Sequence, residues 1–203
     1  MRVLHIGKFY PPVPGGIESF TAELARAQRD AGMTVQALVH APPGTFRTRA
    51  RVHEGIPVEE TACWGQLFYA PVSPTFPVVM ARVVREFQPD LLHIHVPNTS
   101  GFFVPLVPGV RRLPRVIHWH ADIPLDGGSR ALRLAYPLYQ PWERQLLAGA
   151  DAVIATSSAY ADASAALTPW RKKVTIIPLC LAERAVTPPA APLRAGRQEN
   201  SGC

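Results

Sequence analysis

The sequence predicts an α/β fold in which an open parallel sheet is covered by helices on both faces. Short apolar segments recur along the chain, and most are continuous runs, as in strands that are buried on both sides. Segments with helical periodicity lie between them, and right-handed crossovers would join such strands into one sheet. Residues 181–203 are rich in Ala, Pro and Arg without either period, so we expect a disordered C-terminal tail.

The predicted strands and helices alternate along the chain. The strand segments are residues 2–7, 34–40, 56–61, 90–96, 115–120, 151–155 and 174–178. The first helix is the clearest, because Ile17, Phe20 and Leu24 recur at helical spacing and Gly32 follows as a stop signal. Further helices are predicted at residues 74–87, 129–148 and 157–167. We therefore predict one domain over residues 1–180 and a tail over residues 181–203.

The composition is that of an ordinary folded domain. The chain has 203 residues, of which 47% are hydrophobic and 18% are charged. No apolar run approaches the roughly 18 residues of a membrane span, and no cleavage site follows an apolar stretch after Met1. Cys63, Cys180 and Cys203 form no CxxC pair, which is typical of a reducing compartment. We therefore expect a cytoplasmic location.

The charge balance is basic, with a net charge of +6. Arg47, Arg49 and Arg51 cluster in one predicted loop, and residues 171–173 cluster in another. These clusters suit peripheral contact with anionic lipid at the inner face of a membrane, although solvated loop faces explain them equally well. Because no recognition helix or RNA-binding motif accompanies them, we expect no nucleic-acid partner.

A proline-rich turn joins the first strand to its helix, and Gly15 and Gly16 stand where the helix opens. Without a Cβ, these residues can take positive φ and let an anionic ligand approach the free N–H groups of the first helical turn. The sequence has no P-loop lysine motif, and its second strand ends at His40 without the acid of a nicotinamide fold. Another kind of phosphate site is left, with simple chain reversal as an equally good explanation.

Two histidine pairs close two predicted strands, His93 with His95 and His118 with His120. A spacing of two places each pair on one face of its strand, and ligands bind open α/β sheets at the carboxyl ends of the strands. We therefore predict that His95 and His120 lie nearer the crevice, and that the other two are core histidines satisfied by backbone or water. Zinc is the alternative, but it needs an open cavity at these strands, and we expect no metal.

Asp122 follows His120 in the same predicted loop. Its residue type fits a catalytic carboxylate, a metal ligand or a turn cap, and by residue type alone capping is favoured. Glu18, in the first turn of the glycine-opened helix, has a similar explanation, because an acid is favoured near the positive end of a helix.

Five segments in the same order resemble the N-terminal domain of retaining family-4 glycosyltransferases. They are Pro-Gly-Gly-Ile-Glu at residues 14–18, Pro-Asp-Leu-Leu-His-Ile-His at 89–95, Val-Ile-His-Trp-His-Ala-Asp at 116–122, Ala-Asp-Ala-Val-Ile-Ala-Thr-Ser at 150–157 and Val-Thr-Ile-Ile-Pro-Leu at 174–179. The similarity implies the GT-B architecture, in which two Rossmann-like domains face each other across a cleft. The acceptor binds chiefly to the first domain and the nucleotide sugar chiefly to the second.

The resemblance also implies roles for particular residues. The loop that matches Gly15 and Gly16 faces the donor diphosphate and the acceptor, and the histidine that matches His120 points at the reacting sugar. Asp122 matches an acid of less defined role in the same loop. We therefore group His120 and Asp122 as catalytic residues, and His95 with the two glycines as donor-binding residues. The family typically uses no cofactor or catalytic metal, and the UDP- or GDP-linked sugar is a substrate.

Members of the family carry a second domain that holds the donor sugar with two glutamates eight positions apart. No two glutamates of this chain have that separation. Two interpretations stay open. In the first, the chain is the acceptor-side domain of a hexosyltransferase that acts on a glycan or lipid-linked acceptor, and it needs a C-terminal half, which a separate chain could supply. In the second, it is an autonomous module that binds such an acceptor, or an inactive remnant of such an enzyme.

Overall fold

An eight-stranded sheet forms the centre of the chain in the computed structural model, which describes residues 1–124 and 130–179. Its strands are β1 (Arg2–Ile6), β2 (Thr34–His40), β3 (Arg49–His53), β4 (Ile56–Thr61), β7 (Leu91–Val96), β8 (Arg115–Trp119), β9 (Ala152–Ala155) and β10 (Val174–Ile176). A separate antiparallel hairpin consists of β5 (Gly65–Leu67) and β6 (Ala70–Val72). The predicted tail lies outside the described residues.

Helices follow most of these strands. They are α1 (Gly16–Asp30), α2 (Phe76–Phe87), α3 (Arg130–Ala148) and α4 (Ser158–Ala163), with 3-10 turns at Thr99–Phe103, Val110–Arg112 and Thr168–Lys173. None of the described helices combines the length and the apolar character needed to cross a bilayer.

The sheet order is β10-β9-β8-β7-β1-β2-β4-β3, and every pairing is parallel except that of β3 with β4. The strands from β2 to β4 lie on one side of β1, and those from β7 to β10 lie on the other side. The strand order therefore switches between β1 and β7, and open α/β sheets bind ligands at such a switch point. The predicted α/β class with a parallel, Rossmann-like sheet is confirmed.

Both faces of the sheet are covered by helices. On one face, α2 and the end of α3 pack on the larger apolar core, which includes Leu4, Ile94 and Ile117. On the other face, Ala22 and Ala25 of α1 pack against residues of β2 and β4. Side chains alternate between the two faces along a strand. In β1, β7 and β8, apolar side chains point to the first face, and every second residue between them points to the other face.

Several predicted elements differ in the structure. Arg49 and Arg51 lie in β3 and not in a loop, because Glu60 of the neighbouring strand accepts hydrogen bonds from both guanidinium groups. The predicted helix at 157–167 ends at Ala163, since the next residue, Ser164, takes an extended conformation and its hydroxyl is bound elsewhere. The hairpin of β5 and β6 has no counterpart among the predicted elements.

Candidate active site

Three parallel strands end at the same edge of the sheet, and the candidate residues follow them. Lys8 comes just after β1, Asn98 just after β7, and His120 and Asp122 just after β8. The N-terminus of α1 lies beside this edge, because Phe20, one turn after Gly16, packs edge-on against the rings of His118 and His120. The structure therefore brings together the glycine turn and the His120 loop.

The left-handed backbone conformation that glycine permits is not used at Gly15 or Gly16. Gly15 has φ of 166°, which is extended backbone open to any residue, and Gly16 is the first residue of α1 and has no positive φ. Their value lies in the absent side chain. Among the described residues, an added Cβ on Gly16 would meet no atom within 4 Å and no side chain caps α1, so the N–H groups of the first turn are open to an anion.

Two charged side chains flank the glycine turn. The carboxylate of Glu18 folds back over Gly15, where its Oε2 occupies the space that a Cβ would need. An anion at Gly15 would therefore displace this carboxylate. Burial lowers the pKa of the half-buried Lys8, while the nearby Glu18 raises it. Lys8 thus supplies a cation at the end of β1.

Five histidines form a row on the face of the sheet that α1 covers, and four of them are buried while His120 is half-buried. They are His5 of β1, His93 and His95 of β7, His118 of β8, and His120 just beyond it. The predicted common face of each HxH pair is confirmed by their packing, since the rings of His93 and His95 stack at 4.7 Å and those of His118 and His120 at 4.3 Å. His120 is the most exposed of the row.

Hydrogen bonds join most of the row. His95 is 1% exposed, and its ring nitrogens face His5 at 2.9 Å and His120 at 3.1 Å. Both ring nitrogens of His95 are therefore occupied by other histidines. None is left to contact a nucleotide sugar directly, which was the role predicted for His95. His93 and His118 are buried as predicted, but they face each other at 3.4 Å, and Nε2 of His118 has no hydrogen-bond partner in the described part of the chain.

Burial keeps the row neutral. It lowers the pKa of His5 and of His118 to about 4 and that of His120 to about 3, and it lowers the pKa of His93 and of His95 well below the usual range. Neighbouring imidazoles add to most of these shifts, because a second charge beside the first is unfavourable. Near pH 7 each ring is therefore one donor and one acceptor.

The row brings enough nitrogens together to raise the question of a metal. Ring nitrogens of His5, His93 and His95, and those of His95, His118 and His120, lie within 4.8 Å of one another. Each set contains two stacked rings whose planes differ by 3°. A metal must lie near the plane of every imidazole that binds it, and offset parallel planes share no such point. In these orientations the two stacked rings of each set cannot bind one ion together, so a metal would require at least one ring to turn.

Asp122 fastens the loop that carries His120. Its Oδ1 accepts hydrogen bonds from Trp119 Nε1 at 2.7 Å, Tyr160 OH at 3.0 Å and Ser164 Oγ at 2.8 Å. The carboxylate thus joins the end of β8 to α4 and the turn behind it. This arrangement is closer to the predicted capping role than to a carboxylate aimed into a cleft.

A cavity of about 630 Å³ opens at the same edge of the sheet. Its walls are mostly apolar and aromatic, and include Phe68, Tyr69, Tyr136 and Tyr139, with Lys8 as the charged side chain. A second cavity of about 370 Å³ adjoins it and shares Pro71, Val72 and Thr99. Large apolar cavities with a few polar groups are the usual form of small-molecule sites.

The hairpin at the mouth of this cavity turns at an unusual pair of residues. Phe68 and Tyr69 link β5 to β6, and both have positive φ, 47° and 67°. A two-residue turn of this kind strongly favours Asn-Gly. Two aromatic residues are therefore held in a strained turn where their rings line the cavity, and strain of this kind concentrates at functional sites.

Most of the basic residues in the two predicted clusters have partners within the protein. Arg49 and Arg51 pair with Glu60, and Arg171 pairs with Asp162 at 2.8 Å. Lys173 donates to three backbone carbonyls at the end of α3 and just after it. These side chains are thus already engaged in holding the fold together.

Three residues of the site were not singled out in the sequence. His5 joins the histidine row from a strand 90 residues away, and Gln28 binds it from α1. Lys8 lines the large cavity. For Lys8, its position directly after the first strand was an available signal. His5 and Gln28 carried none, since only the pairing of β1 with β7 brings them to His95.

The fold and this edge together define a class of protein. An open parallel sheet with a glycine-opened helix and a histidine loop at its ligand edge is the arrangement expected of the Rossmann-like N-terminal domain of a GT-B glycosyltransferase. The chain belongs to the glycosyl transferase 4-like domain family, whose model matches residues 15–180.

Known proteins agree with this assignment. O-antigen chain mannosyltransferase C of Escherichia coli is 24% identical over 191 residues, which is 92% of this chain and 47% of that protein. Sucrose-phosphate synthase from Thermosynechococcus elongatus has a TM-score of 0.64 at 17% identity, covering 87% of this chain and 47% of that one. HepE of Anabaena, in complex with UDP and glucose, has a TM-score of 0.54 at 20% identity, covering 89% and 45%. The chain thus spans about half the length of each.

Proposed function

We propose that this chain is the acceptor-side domain of a retaining enzyme that transfers a hexose from a UDP- or GDP-linked sugar to a glycan or lipid-linked acceptor. The observation that carries the proposal is the meeting of three features at one edge of the sheet: the open N-terminus of α1, the His120 loop and the large cavity. Each suits one part of such a reaction.

The N-terminus of α1 suits the donor diphosphate. Its free N–H groups and the helix dipole favour an anion, and Gly16 leaves room for one to approach the backbone. As the bond to the sugar breaks, negative charge grows on the leaving diphosphate, and fixed donors that face this charge stabilise the transition state. Lys8 adds a cation nearby, and Glu18 must swing away from Gly15 when the diphosphate binds.

The His120 loop suits the sugar. A neutral imidazole can orient a hydroxyl of the sugar without placing a second positive charge beside a developing oxocarbenium ion. Asp122 supports this role from behind, since its three hydrogen bonds hold the loop against α4.

The large cavity suits the acceptor. Its apolar and aromatic walls match a sugar face or the first part of a lipid chain, and Lys8 matches a phosphate of a lipid-linked acceptor. The E. coli relative, an O-antigen chain mannosyltransferase by name, is consistent with a glycan acceptor. A peripheral membrane contact belongs to the same proposal, and binding to anionic vesicles that falls with added salt would support it.

The donor side of the proposed reaction needs a second domain. The chain spans about half the length of its relatives, so we propose that turnover requires a donor-binding half, in the same polypeptide or in another. The competing interpretation is an autonomous module that binds an acceptor without any transfer.

The test measures nucleotide release and glycan products from UDP-glucose and GDP-mannose, first with this chain and then with the chain joined to the C-terminal half of a relative. We expect no turnover by the chain alone and turnover by the joined protein. His120→Ala should lower the turnover at least tenfold, and His53→Ala on the edge strand β3 is the matched control. Turnover by the chain alone would refute the need for a second half, and acceptor binding without turnover by the joined protein would favour the binding module.

A further inference from the structure

A continuous hydrogen-bonded path leads from the surface of α1 to the candidate catalytic histidine. Oε1 of Gln28 lies 2.7 Å from Nε2 of His5. Nδ1 of His5 lies 2.9 Å from Nε2 of His95, and Nδ1 of His95 lies 3.1 Å from Nε2 of His120. The path therefore uses both ring nitrogens of the two inner histidines and ends on one nitrogen of His120.

The rings along this path meet edge to edge. The planes of His5 and His95 differ by 20°, and those of His95 and His120 by 19°. The centroid separations, 5.3 and 5.4 Å, are close to the N···N distance plus the radii of two rings, so each N–H points along its ring plane at the lone pair of the next ring. This is good geometry for a hydrogen bond between imidazoles.

Neutral rings give such a path a direction. Each ring has one N–H and one bare nitrogen, so a proton placed at one end fixes every other. In the orientation that the Gln28 amide adopts, its oxygen and not its NH2 group faces His5; an oxygen can only accept, which places the hydrogen of His5 on Nε2. The bare Nδ1 of His5 then requires N–H at Nε2 of His95, and the bare Nδ1 of His95 requires N–H at Nε2 of His120. The last nitrogen, Nδ1 of His120, is left bare.

We propose that Gln28, acting through His5 and His95, is a positioning residue that holds His120 as the Nε2–H tautomer. His120 then presents a bare Nδ1, which can accept a hydrogen bond from a hydroxyl and cannot donate one to a phosphate oxygen. In the described part of the chain no hydrogen bond reaches this nitrogen, and His120 is the least buried ring of the row. The use of this nitrogen for a sugar hydroxyl rests on the proposed function; the tautomer itself does not.

The direction of the path depends on which group faces His5. A donor in place of the amide oxygen would put the lone pair of His5 on Nε2, reverse every bond and leave the hydrogen of His120 on Nδ1. A side chain that can neither donate nor accept would leave both directions open. Gln28 lies half-buried on α1, so it can be changed without opening the core.

The experiment reads the tautomers directly. Long-range ¹H–¹⁵N spectra of the ¹⁵N-labelled chain at pH 7.5 distinguish Nε2–H from Nδ1–H imidazoles by the shifts of both ring nitrogens. In the unchanged chain we expect His120 wholly as Nε2–H. Gln28→Met should give a mixture of tautomers, and Gln28→Lys should convert His120 to Nδ1–H. Gln36→Lys, a glutamine of β2 outside the path, is the matched control and should change nothing.

Several results would overturn the proposal. His120 as Nδ1–H in the unchanged chain would do so without any variant, as would the same His120 tautomer in Gln28→Met and Gln28→Lys. A coordinated-nitrogen shift of His95 or His120 with one equivalent of Zn²⁺ would replace the path with a metal site. A failure of the proposed function shows up differently: the tautomer is as expected, but His120→Ala leaves transfer by the joined protein unchanged.

Discussion

The hydroxyl of Tyr160 donates to Oδ1 of Asp122 across 3.0 Å and thereby ties α4 to the loop that carries His120. The same oxygen accepts from Trp119 and Ser164. Burial and the neighbouring carboxylate raise the pKa of Tyr160 to about 12, so the phenol stays a donor over the whole working range of pH. Asp122 is therefore a junction on which three separate segments depend.

We predict that Asp122→Ala destabilises the fold by about 2–4 kcal/mol, because it leaves three donors without their acceptor. Tyr160→Phe should cost about 1 kcal/mol, since it removes one bond of the three. Urea unfolding measures both. The control is Asp162→Ala, whose exposed ion pair with Arg171 should be worth less than about 1 kcal/mol. Equal effects at the two aspartates would contradict the junction.

Acid should weaken the fold at a pH unusually close to neutral. The pKa of His5 is lowered to about 4 and that of His40 to about 3, while the unfolded chain takes up these protons near pH 6.5. The unfolded state thus binds more protons below pH 6.5, and each such histidine removes up to about 1.4 kcal/mol of stability per pH unit down to its folded pKa.

The measurement is the free energy of unfolding in urea at pH 7.5, 6.5 and 5.5. We expect a steep fall below pH 6.5 and little change above it. His118→Leu should make the free energy of unfolding fall less steeply with pH, by the contribution of one histidine, since the pKa of His118 is also lowered, to about 4. A constant free energy of unfolding across this range would show that the row is already charged or open to water.

Gly16→Ala separates a turn-forming glycine from a ligand-contacting one. An added Cβ meets no atom within 4 Å and φ is not positive, so the fold should be unharmed or more stable by about 0.5–1 kcal/mol. Binding of UDP-glucose or GDP-mannose by the protein joined to a donor half should nevertheless weaken, because the methyl group occupies the approach to the helix N–H groups. Gly65→Ala, also without a close neighbour, is the control. Unchanged binding, measured by calorimetry, would leave Gly16 with a purely structural role.

We predict that the turn at Phe68 and Tyr69 favours acceptor binding at the expense of the stability of the fold. Replacing Phe68 and Tyr69 by Asn and Gly gives the turn the residues that its positive φ values favour, so the fold should gain about 1 kcal/mol. The same change removes two aromatic rings from the cavity wall and should weaken acceptor binding severalfold. Thermal unfolding and acceptor titration measure the two effects. A more stable protein with full acceptor affinity would place the acceptor elsewhere.

Glu60 should contribute more to the stability of the fold than either arginine that it binds. Its side chain is 3% exposed and accepts from Arg49 and Arg51, while that of Arg49 is 54% exposed. Glu60→Ala leaves the half-buried guanidinium of Arg51 without its carboxylate, with only Pro11 O and the Tyr10 ring still in contact, and should cost about 3 kcal/mol. Arg49→Ala should cost less than about 1 kcal/mol, as for exposed pairs. Urea denaturation of the two variants measures both losses in the free energy of unfolding. Equal losses would contradict the larger role of Glu60.

Features that follow from the periodicity of the sequence were predicted correctly. Spacing of two in the histidine pairs and continuous apolar strands were enough to predict the parallel sheet and the shared face. Strand β3 was missed because its arginines look like a solvated loop until Glu60 stands opposite them. The left-handed φ that Gly15 and Gly16 could take is not used, because glycine permits such a conformation without requiring it.

Contacts between distant residues set the rest of the site. His5 is a single histidine in an apolar run, and nothing near it in sequence shows that it binds His95 and Gln28. Asp122 has the same local pattern whether it points into a cleft or back at Tyr160. In both cases the partner lies more than 20 residues away, beyond the range of any local signal.

The histidine row also constrains how this sequence can change over generations. Each inner ring satisfies a neighbour on both sides, so the loss of one leaves buried nitrogens unpaired at about 1–3 kcal/mol each. One mutation at a time must therefore pass through a weakened protein, whereas the apolar residues on the opposite face can be exchanged singly for others of similar size. The two faces of β7 should accordingly drift at different rates, the imidazole face as one inherited unit and the apolar face residue by residue.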